Sequence, residues 1–277
     1  MKILLFEGGL GNQMFQYAFY LGEREKHGGL WLFDIKGTRY HHQEFELDGI
    51  FNICKCKKTH NFALKLIRKL RMPQMIVNEK EEGAYSETPN VFGIGKCIKY
   101  RGFWQNEKYF LDVENEVRRI YKFDESKLNH KTVSLYNQIK EQRRNYVSVH
   151  VRRGDYLDCP IFHVCTAEYY HRAMSHIKSH VKDVSFVVFS DDIPWCREQF
   201  GISNDTLQYV DWNSGTDSWQ DMFLMSKCHH NIIANSSFSW WGAWLNDFID
   251  KIVVAPSYWL ADETKMQDVV PSNWVRI

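Results

Sequence analysis

From residue 145 onward the chain alternates short apolar strands with helix-length segments, and this alternation restricts it to an α/β architecture. Strand patterns at 146–151, 184–190, 231–234 and 251–255 are separated by helical stretches near 166–181, 194–200, 217–229 and 237–248. Strands spaced by helices read as βαβ units in a parallel sheet. The chain opens in the same manner. A strand over Lys2–Phe6 runs into Glu7-Gly8-Gly9-Leu10-Gly11, and a helix from Asn12 to about Lys26 carries Met14, Phe15, Ala18, Phe19 and Leu21 as one apolar stripe. Met14 stands where a dinucleotide fingerprint has its third glycine, so this is a Rossmann-like opening without a dinucleotide site. Residues 35–100 are mixed and turn-rich, with a basic helix around Phe62–Leu70. The polar stretch Lys140–Asn145 predicts a boundary between a domain over 1–143 and a second over 144–277.

A chain of 277 residues is long for one core and suits two domains. Its net charge of +1 argues against nucleic-acid binding through a bulk basic field. Seven cysteines at irregular spacing favour free thiols and a reducing compartment. Cys54-Lys55-Cys56 has no second pair with which to hold zinc. No stretch approaches the roughly 18 apolar residues of a membrane span. The start reaches Glu7 too soon for a signal peptide, so the expected location is cytoplasmic. The basic patch Lys65, Arg68, Lys69 and Arg71 reads as a solvated helix face or as a peripheral contact with anionic lipid. Ten Trp, fourteen Tyr and eighteen Phe make aromatics the compositional outlier, mostly for packing, with a minority able to stack on sugar rings.

Chemistry concentrates where strands end. The alternating run Tyr146–Val151 delivers Arg152, Arg153 and Asp155 to the carboxyl end of a strand, with Gly154 as breaker. That edge is where open α/β sheets bind ligands, and arginine's rigid fork of donors matches phosphate oxygens. A surface salt bridge to Asp155 is the bland alternative. Ser190-Asp191-Asp192 ends the next strand. The two acids suggest a metal site, but neighbouring arginines make a cation redundant, and an N-cap before Pro194 suits both acids. Asn235-Ser236-Ser237 follows a third strand and opens a helix, which aims free N–H groups at the same edge and makes an anion site.

Four longer stretches carry a resemblance. His150-Val151-Arg152-Arg153-Gly154-Asp155-Tyr156 resembles the first signature of the GDP-fucose-using fucosyltransferase superfamily. Glu7–Ala18, Ser190–Cys196 and Asn235–Trp244 resemble one branch of it, the bacterial family 11 α-1,2-fucosyltransferases, and Gly102–Phe110 is similar as well. The resemblance spans residues 7 to 244. It implies a GT-B type α/β fold: two facing Rossmann-like domains with parallel sheets, an acceptor-side domain over 1–143 and a GDP-fucose-binding domain over 144–277, with the last helix packing back on the first. It implies that Arg152 holds the β-phosphate of departing GDP, Arg153 orients the loop, His150 contacts the nucleotide and Ser237 donates to phosphate. Asn235, Ser236 and Asp191 complete the nucleotide site. Asp221 lies fifteen residues before Ser236, the spacing of an acid that pairs with guanine N1 and N2 in related enzymes. Gly11, Asn12 and Gln13 fall in the cleft near the transferred sugar, and Asn12 counts among the catalytic candidates. For Asn12 helix capping is the competing reading.

What the resemblance implies is an inverting, metal-independent transfer of L-fucose from GDP-β-L-fucose to the 2-hydroxyl of a terminal galactose. No cofactor is expected. The acceptor is a galactose-terminated oligosaccharide or a lipid-linked glycan. The general base is open among Asp155, Glu7, Glu44 and His41. A fucosyltransferase of another linkage shares the arginine motif. A lectin-like glycan-binding protein would explain the aromatics but leaves Arg152 and the Ser236-Ser237 helix start without a role.

Overall fold

In a computed structural model the structure describes residues 1–35, 45–51, 53, 57–89, 96–141 and 143–277. Two compact units divide the chain, Met1–Phe123 and Asp124–Ile277. In the first, β1 (Lys2–Leu5) is buried along its length because parallel strands are covered on both faces. It runs into α1 (Leu10–His27), whose expected stripe of Met14, Phe15, Ala18, Phe19 and Leu21 is fully buried. β2 (Trp31–Asp34), α2 (Leu47–Phe51), α3 (Lys57–Lys69), β3 (Gln74–Asn78), β4 (Cys97–Arg101) and α4 (Glu114–Ile120) follow. The four strands form one parallel sheet in the order β2-β1-β4-β3. β1 therefore has its sequence neighbour on one side and β4 on the other, and the order reverses between β1 and β4.

The second unit contains α5 (His130–Lys140), β5 (Asn145–Val151), α6 (Ala167–His180), β6 (Val184–Ser190), α7 (Ile193–Phe200), β7 (Leu207–Val210), α8 (Trp219–Lys227), β8 (His230–Ile232), α9 (Ser237–Trp244), β9 (Val253–Ala255) and β10 (Val275–Arg276). Its six strands are parallel in the order β10-β9-β8-β5-β6-β7. The reversal here falls between β5 and β8. A core of Val147, Val149, Val151, Phe186, Val188 and Ile232 joins these strands to Tyr170, Ala173 and Ile177 of α6.

The polar stretch 140–145 predicts a boundary at 143/144, but the structure divides at 123/124. The reason is α5, which packs on α8 and so belongs to the second unit. β10, the last strand, pairs with β9. α9 stops at Trp244, short of the predicted 248; Lys251 Nζ donates to the carbonyl of Ala243 in its last turn (2.9 Å) and to that of Asn246 just beyond it (2.6 Å). Among the described residues no helix is long and apolar enough to cross a membrane. Cys97, Cys159, Cys165, Cys196 and Cys228 are free thiols, while Cys54 and Cys56 lie outside the described residues.

Candidate active site

The carboxyl ends of β5 and β8, the two strands that flank the reversal, carry the arginine loop and the start of α9. Ligands of open α/β sheets bind in the crevice at such a switch point. Arg152 leaves β5 with its guanidinium split between two acids, Asp155 Oδ1 at 2.6 Å and Asp191 Oδ2 at 2.8 Å. The Arg153 Nε donates to Asp192 Oδ2 at 2.9 Å, its backbone N–H to Asp191 Oδ1 at 2.9 Å, and its guanidinium lies 4.2 Å over the Trp195 ring. Both guanidiniums lie over aromatic rings, Arg152 at 5.6 Å from Tyr156, but only Arg152 holds an exposed partner, Asp155, that can be displaced. Asp192 also caps α7 by accepting from the Trp195 N–H at 3.1 Å, as Pro194 predicts. Both acids of Ser190-Asp191-Asp192 are therefore held by arginines. Among the described residues no group of three or more His, Cys, Asp or Glu is placed to hold a metal ion.

Gly154 serves this arrangement by having no side chain. A Cβ there would stand 2.6 Å from Asp191 Oδ2, inside the acid that bridges both arginines. His150, on β5, is buried beside the Phe238 ring at 5.7 Å, and its Nδ1 has no partner among the described residues. Burial, assisted by the Arg152 charge, pushes its pKa down to about 3, so the ring is neutral. Ser236 caps α9 with Oγ accepting from the Phe238 N–H, and Ser237 is the first helical residue. The Tyr156 hydroxyl donates to the Asn235 carbonyl at 3.1 Å and ties the arginine loop to this helix start. Asn235 itself is spent on structure: its amide donates to the carbonyls of Phe162 and Trp259, and its oxygen accepts from the Cys165 thiol.

Asp221 stands in the first turn of α8, whose N-terminus faces the same sheet edge because α8 leads into β8. Burial pushes its pKa up to about 7, with the Asn213 amide, 2.7 Å away, acting against the rise. Asn213 in turn accepts from Asn129 Nδ2 at 2.7 Å, and Asn129 caps α5. The fold brings His150, Arg152, Arg153, Asp155, Asp191, Ser236 and Ser237 to the ends of neighbouring strands, and Asp221 joins the polar relay through Asn213 to Asn129.

In the first unit the glycine loop ends β1 beside β4, again at the reversal. Gly8 has φ +77°, and a Cβ there would lie 2.4 Å from Asn12 Nδ2. Gly9 is the N-cap of α1 and makes no side-chain cap, so Gly11 and Asn12 lie inside the first turn and Asn12 is not a cap. Its Oδ1 instead accepts from Gln105 Nε2 at 2.7 Å. Gln13 is buried and braces the loop, donating to the Gly8 carbonyl at 2.9 Å and accepting from the Glu46 N–H at 2.9 Å. Glu46 accepts from the Leu10 N–H at 3.1 Å, and burial raises its pKa. It satisfies the first N–H of α1, the role that the sequence assigns to Asn12. Glu46 and Gln105 are absent from the sequence-predicted set, because nothing in their local pattern signals that a distant loop needs them. Of the candidate bases, Asp155 pairs with Arg152, and Glu7 lies 3.6 Å from Arg101; Glu44 and His41 lie outside the described residues.

The sequence profile described as "Glycosyl transferase family 11" matches residues 3–277. The chain belongs to glycosyltransferase family 11. Within that family it is similar to an α-1,2-colitosyltransferase of Escherichia coli, 37% identical over 98% of this chain and 96% of the relative. A shorter match, 27% identical, covers 53% of this chain and 43% of the human galactoside α-(1,2)-fucosyltransferase 1. Among solved structures, fucosyltransferase NodZ from Bradyrhizobium superimposes with a TM-score of 0.52 at 13% identity, over 87% of this chain and 91% of NodZ. The fold of this family 11 chain is accordingly α/β with parallel sheets, of the GT-B type.

Proposed function

We propose that this glycosyltransferase uses GDP-β-L-fucose as donor and the 2-hydroxyl of a terminal galactose as acceptor. The observation that carries this reading is the placement of Arg152 beside the start of α9 at the switch point of a parallel sheet. A diphosphate there exchanges the Asp155 carboxylate for its own oxygens on Arg152 and receives the free N–H groups of the first turn of α9. The acceptor oxygen attacks the anomeric carbon while the bond to the β-phosphate breaks, and GDP departs with the electron pair. The acceptor proton passes to a base, for which Asp155 is the candidate at the right edge of the sheet. Configuration inverts in this single displacement. Arg152 and the helix start supply the charge that a metal ion would otherwise provide, so the reading includes no metal and no cofactor. Neutral His150, with its unpaired Nδ1, supplies a hydrogen-bond acceptor to the nucleotide, and ionised Asp221 accepts from guanine N1–H and N2–H, which adenine lacks.

The human relative acts on galactosides with an α-1,2 linkage by its name, and the bacterial relative transfers colitose with the same linkage. The second name favours one rival, colitose in place of fucose as the transferred sugar. The test is mass spectrometry of lactose incubated with the protein, EDTA and either GDP-fucose or GDP-colitose. A fucosyl-lactose whose NMR spectrum shows the α-1,2 link is the expected product; a colitosyl product alone would replace the donor, and loss of all product on adding EDTA would bring back a metal. In the same assay Arg152→Ala should cut kcat by about 10²–10³, with the lactose KM little changed, because the lost charge acts on the leaving group.

A further inference from the structure

α3 buries one face and presents a second apolar face to solvent. Leu64 and Ile67, 5% and 4% exposed, pack with Ile3, Leu32 and Cys97 of the first sheet. Phe62, Leu66 and Leu70 recur at four-residue spacing on the opposite side and stand 70%, 45% and 61% exposed. At about 100° per residue this is a single stripe, and Lys65 and Lys69 flank it along its whole length. Arg71 follows the helix with a left-handed backbone, φ 49°. Lys65, Lys69 and Arg71 are exposed and make no ion pair among the described residues. Arg68, by contrast, turns away from the stripe to Asp34 at 3.1 Å. Leu30, 66% exposed, precedes β2 at the amino edge of the same sheet, the edge where α3 ends.

An ordinary surface helix scatters single apolar residues among charges. A continuous apolar stripe beside unpaired cations is the pattern of a helix that lies in a membrane interface. We propose that α3 docks this protein on an anionic lipid surface, with Phe62, Leu66 and Leu70 entering the acyl boundary and Lys65, Lys69 and Arg71 meeting headgroup phosphates. Charge complementarity selects this occupant. A second copy of the chain would bring the same three cations against themselves, and an uncharged apolar partner would leave them unmatched. The long lysine stems let the ammonium groups stay wet while the stripe sinks. A helix of this kind lies on the bilayer and does not span it. The proposal is independent of the transfer reaction, since it holds for either class of acceptor.

The test is vesicle flotation of the full chain, with phosphatidylcholine alone or doped with phosphatidylglycerol, at about 0.1 M and about 1 M salt, where the Debye length falls from about 10 to about 3 Å. Binding is expected on the anionic vesicles at low salt only. Each lysine lost should weaken it about fivefold, so that Lys65→Gln with Lys69→Gln together cost about 25-fold. Phe62→Ser should cost about tenfold. These exposed sites leave the fold alone, which an unchanged thermal midpoint would verify. Failure of the parent protein to float, undiminished binding by the variants, or equal binding to neutral vesicles would overturn the proposal. So would lipid-free self-association abolished by Phe62→Ser, which would give the stripe to a second copy, or tight capture of an acidic peptide without any flotation.

Discussion

Arg152 is shared between two carboxylates of unequal exposure, and this inequality makes Asp155 the partner a ligand displaces. Asp155 is the outer of the two, with a side chain 65% exposed against 26% for Asp191. An exposed pair of this kind contributes at most about 1 kcal/mol. Asp155→Asn therefore should tighten GDP binding by up to about fivefold in a titration calorimeter, because the competing charge is gone. If Asp155 is also the base, the same variant loses about 10²–10⁴ in kcat. Tighter GDP with unchanged turnover would move the base to another residue, Glu7 first. Asp221 makes a second prediction at this scale. Burial holds its pKa at about 7, above the ordinary carboxylate range, so the folded protein binds the extra proton between the two values and the acid is half ionised near neutrality. Guanine needs the ionised form. GDP affinity should rise with pH through about 7, with up to one proton released on binding, and Asp221→Asn should flatten that profile and narrow the preference for GDP over ADP. A flat profile in the parent protein would remove Asp221 from the nucleotide site.

At the scale of elements, the loop after β5 depends on an absence of side chain. Gly154→Ala forces a Cβ to within 2.6 Å of Asp191 Oδ2, and Asp191 holds both Arg152 and the Arg153 backbone. The expected result is a fall in kcat of about tenfold or more with a small change in thermal midpoint, since the loop is exposed while β5 is buried. A drop in stability without a drop in activity would show that the loop only needs room. Gly154 is legible in the sequence as a strand breaker, but its real partner is an acid on another strand. The same division runs through the whole site. β5 and β6 are readable because buried parallel strands are long apolar runs, β1 because its apolar run stops at a glycine loop, and α9 because Asn235-Ser236-Ser237 marks its start. The sequence gives no sign of β7 or β10, which have four and two residues at the far side and edge of their sheet. β3 and β4 pass unread in or beside the turn-rich stretch 35–100, and β2, just before it, passes unread with them. Glu46 and Asn213 are invisible for another reason, and Gln105, inside the family-like stretch Gly102–Phe110, gives no hint of its partner: each works only by reaching a residue tens of positions away or across a turn.

At the scale of the molecule, the boundary between the two units is where local polarity and tertiary packing disagree. The run Lys140–Asn145 is polar because it turns the chain from α5 into β5, not because it links domains. α5 is bound to the second unit by specific groups. Asn129 caps it, its N–H donates to Gln220 Oε1 at 2.9 Å, and its amide holds Asn213, which holds Asp221. Tyr136 of α5 also packs edge-on against Phe223 of α8 at 4.9 Å. A fragment over 124–277 keeps a six-stranded sheet, its core and this relay; one over 144–277 loses the helix and exposes Gln220 and the α8 face. The longer fragment should unfold cooperatively and gain thermal stability from GDP, whereas the shorter one should be less stable by several kcal/mol, in the range of large core deletions, and respond weakly to GDP. Equal stability and equal GDP response in the two fragments would return the boundary to 143/144 and make α5 dispensable. A longer fragment that folds but ignores GDP would mean that the nucleotide needs residues of the first unit, and the loop Gly8–Gln13 is where they would be sought.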